Sequence, residues 1–527
     1  MKEIKELKFE ELSVKQKLGM VHTAVLNGNC DEENVNFILN LIKERALGSV
    51  WIQFTQKDAE KYLKLVREIA DYPILIFTDA ESGMGDYMIG RHNPIGCTGD
   101  ERYAYAFGKA IAVTARKMGY NVVCNPVLDI KTNGWVRSFG SDKEKLAKMA
   151  AAEARGMHDG GILTVGKHYP SCTNPRDIDS HMAEAPSYDT EEELLDYGLY
   201  AYLELMKEGL LDGLMSGHHK LPNIDPDAPA SLSKKVLDVI KKQGYDGFFI
   251  TDALQMNGIR AKYGDVEAKG LAIEAGNDFA LPYNNVPKLD QEQVYESYER
   301  GFISDARLDE AVKKVLATQK KAMELAASCT DQLTEEEIYL ATHISKDSIY
   351  AKTDEGVPTT ISRDGKHFFA LMTRNEEKVG ADGGVLVDTF SNGWLYPTKV
   401  IAKIKELFPN SEVYAFHQFP KQIHNLRILR DSLKCEDVIF ITFSEALAYM
   451  GPEHLTRRVE TLIDAMQTTN RISTLIHLGN PCILGNLPHI PRYILGGISE
   501  ESINTCLEVL AGEYEAKGVL TYDVTLN

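Results

Sequence analysis

Ile162-Leu163-Thr164-Val165-Gly166-Lys167-His168-Tyr169-Pro170 sets a short apolar run directly against a lysine and a histidine. The run is too short for a helix and has the length and branching of a buried strand. Beyond it, Arg176, Asp177, Asp179, Ser180 and His181 extend a polar cluster. Two cations, two carboxylates and two imidazoles thus fall within fifteen residues, Lys167 to His181. Charged residues massed where a strand ends are the sequence mark of an α/β active site.

The same pattern recurs on both sides of this stretch. Strands are expected near 20–25 and at 48–54, 74–77, 121–126, 162–165, 213–218, 247–252 and 278–282. Segments of helical period separate them, at 58–69, 103–117, 143–157, 191–207, 234–242 and 265–275. Strands alternating with helices predict a parallel sheet. Eight such units over more than 250 residues predict a closed (β/α)8 barrel rather than an open sheet. In a barrel the functional face is the one where strands end. Those ends carry Asp79 and Glu81, Asp129, Lys167 and His168, His218 and His219, and Asp252.

A helix over 308–327 is expected to finish the barrel, and 328–334 reads as a linker. The chain then resumes with a helix at 335–345 and strands at 368–372, 385–387, 413–416, 438–442, 474–478 and 493–495. Helices at 398–407, 457–466 and 503–510 lie between them. The prediction is an α/β protein of two domains: a TIM-like barrel over 1–330 and a smaller open α/β sandwich over 331–527. Gly380-Ala381-Asp382-Gly383-Gly384 is glycine-dense but precedes a strand, so it does not fit a dinucleotide loop.

Composition narrows the partners. A net charge of −19 argues against a nucleic-acid or anionic-membrane partner, because phosphate binding needs a basic face. No run of 18 apolar residues is present and the first residues are charged, so neither a membrane span nor a signal peptide is expected. The eight cysteines are scattered, with no paired Cys-x-x-Cys, which fits reduced thiols in a cytoplasmic protein. Neighbouring His218 and His219 point to opposite sides of a strand end, and no carboxylate-rich partner set accompanies them. No metal and no cofactor is expected. From position alone, Asp252 is equally a helix N-cap and a rigidly held strand-end carboxylate.

Four motifs, in order, resemble glycoside hydrolase family 3 and, within it, the β-N-acetylglucosaminidase branch. They are Arg137-Ser138-Phe139-Gly140, Lys167-His168-Tyr169-Pro170, Asp179-Ser180-His181 and Ile250-Thr251-Asp252-Ala253-Leu254-Gln255-Met256. Asn125-Pro126-Val127-Leu128-Asp129 and Ala275-Gly276-Asn277-Asp278 agree with them, and the likeness continues weakly to Gly518-Val519-Leu520. The resemblance implies a small carbohydrate or glycoside as substrate. It makes Asp252 the nucleophile and His181, oriented by Asp179, the acid and base. It assigns Asp79, Arg137, Lys167 and His168 to the sugar. On an extended loop, residues two apart lie on one side, so Asp179 and His181 can pair, and the aspartate would fix the imidazole's tautomer.

Three departures bear on substrate. Met84 and Tyr87 stand where the family has arginines, which removes positive charge. Ser171-Cys172-Thr173-Asn174 replaces a glycine-containing stretch, which predicts a different loop path. Arg176 and Asp177 precede the pair where small polar residues are common. A β-glucosidase, a glycoside phosphorylase and a catalytically impaired sugar-binding protein are the alternatives.

Overall fold

A computed structural model of the chain describes residues 4–130, 137–373, 376–379, 385–388, 396–444, 448–449 and 454–527. Seven parallel strands run in chain order: β1 Thr23–Val25, β2 Ser49–Trp51, β3 Leu75–Thr78, β4 Val122–Val123, β5 Leu163–Tyr169, β6 Gly213–Ser216 and β7 Phe248–Thr251. The expected eighth strand is present only as single bridges. Phe279 N–H donates to Phe249 O and Thr251 N–H to Phe279 O, both at 3.0 Å. On its other side Thr23 N–H donates to Ala280 O at 3.0 Å and Ala280 N–H to Val21 O at 2.9 Å. These bonds close the (β/α)8 barrel.

Alternation along each strand separates two cores. Trp51, Leu75, Phe77, Val165, Phe248 and Ile250 pack inside with Phe279. Their neighbours Val50, Ile52, Ile76, Leu214 and Phe249 pack outward against the helices. Inside, the rings of Phe77, Phe248 and Phe279 meet edge to face, with centroids 5.5 to 6.1 Å apart. Such geometry sets the negative face of one ring against the positive edge of another.

Three sequence expectations need correction here. Strand β5 does not end at Val165 but continues to Tyr169, so Lys167 and His168 belong to the strand and not to a loop after it. The helix expected over 191–207 is broken by a π-helical turn at Leu194–Gly198 before it resumes at Tyr200–Lys207. There Gly198 packs so closely on Ser171 that a Cβ would stand 2.5 Å from its carbonyl oxygen. The helix Pro287–Glu299 was not anticipated. Its buried face includes Asp290, Gln291 and Ser297, so the apolar period that announces a helix is missing.

The rest of the chain forms a six-stranded sheet in the order β12-β9-β13-β14-β15-β8. The strands are β8 Tyr350–Thr353, β9 Phe368–Thr373, β12 Glu412–His417, β13 Val438–Phe443, β14 Ile472–Leu478 and β15 Arg492–Gly496. Only β8, at an edge, is antiparallel, and it too was not anticipated. Val385–Asp388 (β11), expected in this sheet, pairs instead with Glu376–Val379 (β10) in a separate antiparallel ribbon. The glycine-dense stretch 380–384 lies outside the described residues. Among the described residues, no helix is long and apolar enough to cross a membrane.

The final residues return to the barrel. Val519 N–H donates to Cys97 O at 2.8 Å, and the Tyr522 hydroxyl donates to Ser138 O at 2.8 Å. Gly140, at φ +150°, could not carry a side chain there, because a Cβ would lie 2.5 Å from Thr521 O. The segment that carries Arg137 is therefore fixed from the far end of the sequence.

Candidate active site

Parallel strands bring their ends to one face. Asp79 directly follows β3, Lys167 and His168 lie near the end of β5, and Asp252 directly follows β7. Lys167 is 1% exposed. Its Nζ donates to Asp79 Oδ1 at 2.5 Å and lies 3.6 Å from Glu81 Oε2. Glu81 also accepts from Arg137 at 2.9 Å and from Arg91 at 3.3 Å. Burial alone would raise the Glu81 carboxyl, but Arg137, Lys167 and Arg91 hold it well below the usual carboxylate range. Three cations thus meet two carboxylates at this face. Met84 is buried, and Arg91, four residues past Tyr87, sets a cation on Glu81.

After β4 the chain runs beside β5, with Leu128 N–H donating to Lys167 O at 2.6 Å. This contact sets Asp129 against His168. One carboxylate oxygen accepts the His168 backbone N–H at 2.9 Å and the other pairs with Nδ1 at 2.8 Å. The ring's far nitrogen, Nε2, is thereby turned to Asp252 Oδ2 at 3.8 Å.

Asp252 is held on both ends. Its N–H donates to Ser216 O at 2.9 Å, and its Oδ1 accepts from Ala253 N–H at 2.7 Å. The helix N-cap alternative fails, since the next helix begins at Asn257 with Met256 before it. Burial raises the Asp252 carboxyl, yet His168 foremost, with His181 and the Ala253 N–H, pulls it below the ordinary aspartate value. His218 has both nitrogens engaged, Nδ1 with Ser231 Oγ at 2.8 Å and Nε2 with Ala253 O at 3.0 Å. Burial lowers its pKa and pushes His219 down to about 4, so both favour the neutral ring.

Asp179 and His181 pair, though not along an extended loop. Met182 and Ala183 N–H groups both bond back to Asp179 O, at 2.9 and 3.1 Å, making a turn. Within it Asp179 Oδ1 accepts the His181 backbone N–H at 2.9 Å and meets Nδ1 at 2.7 Å. The turn is anchored from the short helix Asn257–Arg260 that follows β7. Asn257 N–H donates to His181 O at 3.0 Å and Gly258 N–H to Ser180 O at 3.1 Å. The stretch that lacks the family's glycines is tied by its own side chains. Ser171 Oγ accepts from Ile130 N–H at 2.8 Å, and Asn174 bonds both backbone groups of Ile178.

Two cavities meet over these groups. The larger, of about 360 Å³, is walled by Trp51, Asp79, Arg91, Lys167 and Tyr283 among others. The smaller, of about 90 Å³, is walled by Asp129, Ser171, Cys172, Asn174, Asp179 and His219 among others. Arg137, His168, His181 and Asp252 line both. All seven residues singled out in the sequence therefore converge. Sequence reasoning overlooked Arg91, Trp51, Tyr283 and Tyr449. Trp51 at the end of β2 was available as a strand-end aromatic, while Arg91 lies in a loop without periodic signal. The Cys172 thiol is buried and pushed up by that burial, which does not favour a nucleophilic role.

Residues 10–318 match the model of the glycosyl hydrolase family 3 N-terminal domain, more than half of the chain. The chain belongs to glycosyl hydrolase family 3.

Within the family it is 31% identical over 236 residues to a β-hexosaminidase of Tolumonas auensis, covering 42% of this chain and 70% of that protein. To a β-N-acetylglucosaminidase/β-glucosidase of Cellulomonas fimi it is 25% identical over 332 residues, 58% of this chain and 57% of that one. In fold it is similar to a family 3 β-N-acetylglucosaminidase from Paenibacillus sp. FPU-7, with a TM-score of 0.79 and 24% identity over 98% of this chain and 100% of that one. A β-glucoside phosphorylase has a TM-score of 0.78 and 22% identity over 98% and 94%.

Proposed function

We propose that this glycoside hydrolase removes terminal β-linked N-acetylglucosamine from small glycosides with retention of configuration. The Asp252 carboxylate attacks the anomeric carbon while His181 gives its Nε2 proton to the departing oxygen, and a glycosyl ester forms on Asp252. Neutral His181 then takes a proton from water, the water oxygen bonds to the anomeric carbon, and the Asp252 carboxylate leaves. Asp179 keeps the Nδ1 proton in place and stabilises the imidazolium of the first step. Asp79, Arg137, Lys167 and His168 hold the sugar's hydroxyls.

The observation that carries this reading is the 2.7 Å contact of Asp179 with His181 beside a cavity that Asp252 also lines. A nucleophile must be ionised, and the imidazoles around Asp252 favour that form. The β-hexosaminidase relatives support the choice of sugar. We also propose that residues 1–330 form the catalytic domain and 331–527 a second domain. Eight free thiols support a cytoplasmic setting.

The test is proton NMR of the first-formed anomer, with p-nitrophenyl N-acetyl-β-glucosaminide and p-nitrophenyl β-glucoside compared with and without phosphate. The reading expects β-N-acetylglucosamine first, preference for the acetamido sugar and no acceleration by phosphate. An α-anomer first would overturn retention. Glycosyl phosphate as product would make the protein a phosphorylase, and preference for the glucoside a β-glucosidase.

A further inference from the structure

Asp179 comes from the barrel, but one of its two oxygens is bound by a residue 270 positions away. Tyr449 N–H donates to Asp179 Oδ2 at 2.9 Å. The other oxygen, Oδ1, already serves His181 through its backbone N–H and Nδ1. A carboxylate bonded through one oxygen alone can swing about its Cβ–Cγ bond. Bonded through both, it keeps its plane and aims Oδ1 at the imidazole. The same residue also touches the histidine, with the Tyr449 and His181 rings meeting edge to face at 5.2 Å. Tyr449 therefore contacts both members of the pair, and with Ala448 it lines the larger cavity.

Its backbone marks the arrangement as specific. Tyr449 has φ +68°, a left-handed conformation that a bulky residue rarely adopts. A glycine would sit there without strain but would offer the histidine no ring. Asp179 is buried, 5% exposed, so an oxygen left without Tyr449 would lose a partner where water reaches poorly.

We propose that Tyr449 is a positioning residue for proton transfer: it fixes the Asp179 carboxylate through its backbone N–H and the His181 ring through its own ring. This rests on His181 being the acid and base. Tyr449 acts through the pair and makes no bond to the reacting atoms.

The experiment compares Tyr449→Ala, Tyr449→Gly and Tyr449→Phe in the full chain on two aryl N-acetyl-β-glucosaminides, one with a good and one with a poor leaving group. Removing a general acid matters most where the leaving group is poor. Tyr449→Ala and Tyr449→Gly are expected to lower kcat/KM about tenfold on the poor leaving group and less than about twofold on the good one, as fractions of the acid's full effect. Tyr449→Phe, which keeps the ring, stays near wild type; all three variants keep the backbone N–H, so the losses in Tyr449→Ala and Tyr449→Gly report the ring's hold on His181. In a His181→Ala background Tyr449→Ala should cost nothing further, because coupled residues are not additive. Equal loss on both leaving groups, or an undiminished loss in the His181→Ala background, would overturn the proposal and leave Tyr449 a structural residue only. His181→Ala alone separates the two ideas. A uniform loss in that variant removes the acid role and the proposal with it, whereas a leaving-group-dependent loss there with none in Tyr449→Ala removes only the proposal.

Discussion

Nε2 of His168 stands 3.8 Å from Oδ2 of Asp252, while its Nδ1 side is taken by Asp129 at 2.8 Å. The imidazole is thus aimed, and its field acts on the carboxylate that we assign as nucleophile. Of the groups that lower the Asp252 carboxyl against its burial, His168 is the foremost.

Replacing His168 by Asn should release that hold. Asp252 then titrates higher, and because the ionised form is the active one, the acidic limb of the pH profile of kcat/KM moves to higher pH. Loss of the 2.8 Å bond from Nδ1 to Asp129, which aims this side chain, should also lower kcat/KM by about tenfold, from a hydrogen bond to a charged group of roughly 1.5 kcal/mol. A pH–rate profile of the variant against wild type checks both. An acidic limb that does not move would show that His168 does not hold Asp252.

Glu81 joins Lys167, Arg137 and Arg91 in a cluster that is mostly out of water. Its folded-state carboxyl lies below its unfolded value, so its stabilisation is complete above the ordinary glutamate pKa of about 4.3 and is lost as pH falls below it. Glu81→Gln should be less stable than wild type by about 3 kcal/mol at pH 7, the usual result of breaking a buried pair. Its stability should also fall less steeply between pH 5 and pH 3, on the order of that carboxylate window. Urea denaturation at several pH values gives both quantities. Parallel curves would place the acid-sensitive carboxylate elsewhere.

Gly258 lies under the turn that carries His181. A Cβ there would meet Ser180 O at 2.7 Å and Ala183 O at 3.2 Å. Gly258→Ala should displace the turn and lower kcat on poor leaving groups by about tenfold, as misplacement of a catalytic group does. The melting temperature should change little, since the helix Asn257–Arg260 is a single short turn. A large fall in melting temperature with leaving-group behaviour intact would contradict this.

Tyr522 reaches Ser138, next to Arg137, from the end of the chain. Tyr522→Phe removes one hydrogen bond to a buried carbonyl and should cost about 1 kcal/mol of stability. If the tail positions Arg137, KM rises several-fold while kcat holds. Steady-state kinetics beside thermal melts will tell these apart, and an unchanged KM would confine the tail to stability.

Much of the barrel was legible because each strand's alternation reports burial on two faces and each helix's period reports one. The second sheet was legible for the same reason, except at β8, whose residues are half-buried or exposed, and at β11, whose apolar run reads as a buried strand whichever partner it takes. The helix Pro287–Glu299 escaped because its buried positions are partly polar.

By itself the sequence determined that strands and helices alternate, that ionisable residues gather at strand ends, and that Asp179 and His181 stand two apart, close enough to pair. Those are local properties, written in the order of neighbouring residues. Only the tertiary structure decided that Arg91 completes the charge around Glu81, that Phe279 and Ala280 close the barrel through a few bonds, and that Tyr449 binds Asp179 across 270 residues. Such contacts depend on where whole elements pack, and a contact between distant segments leaves no period or spacing in either one.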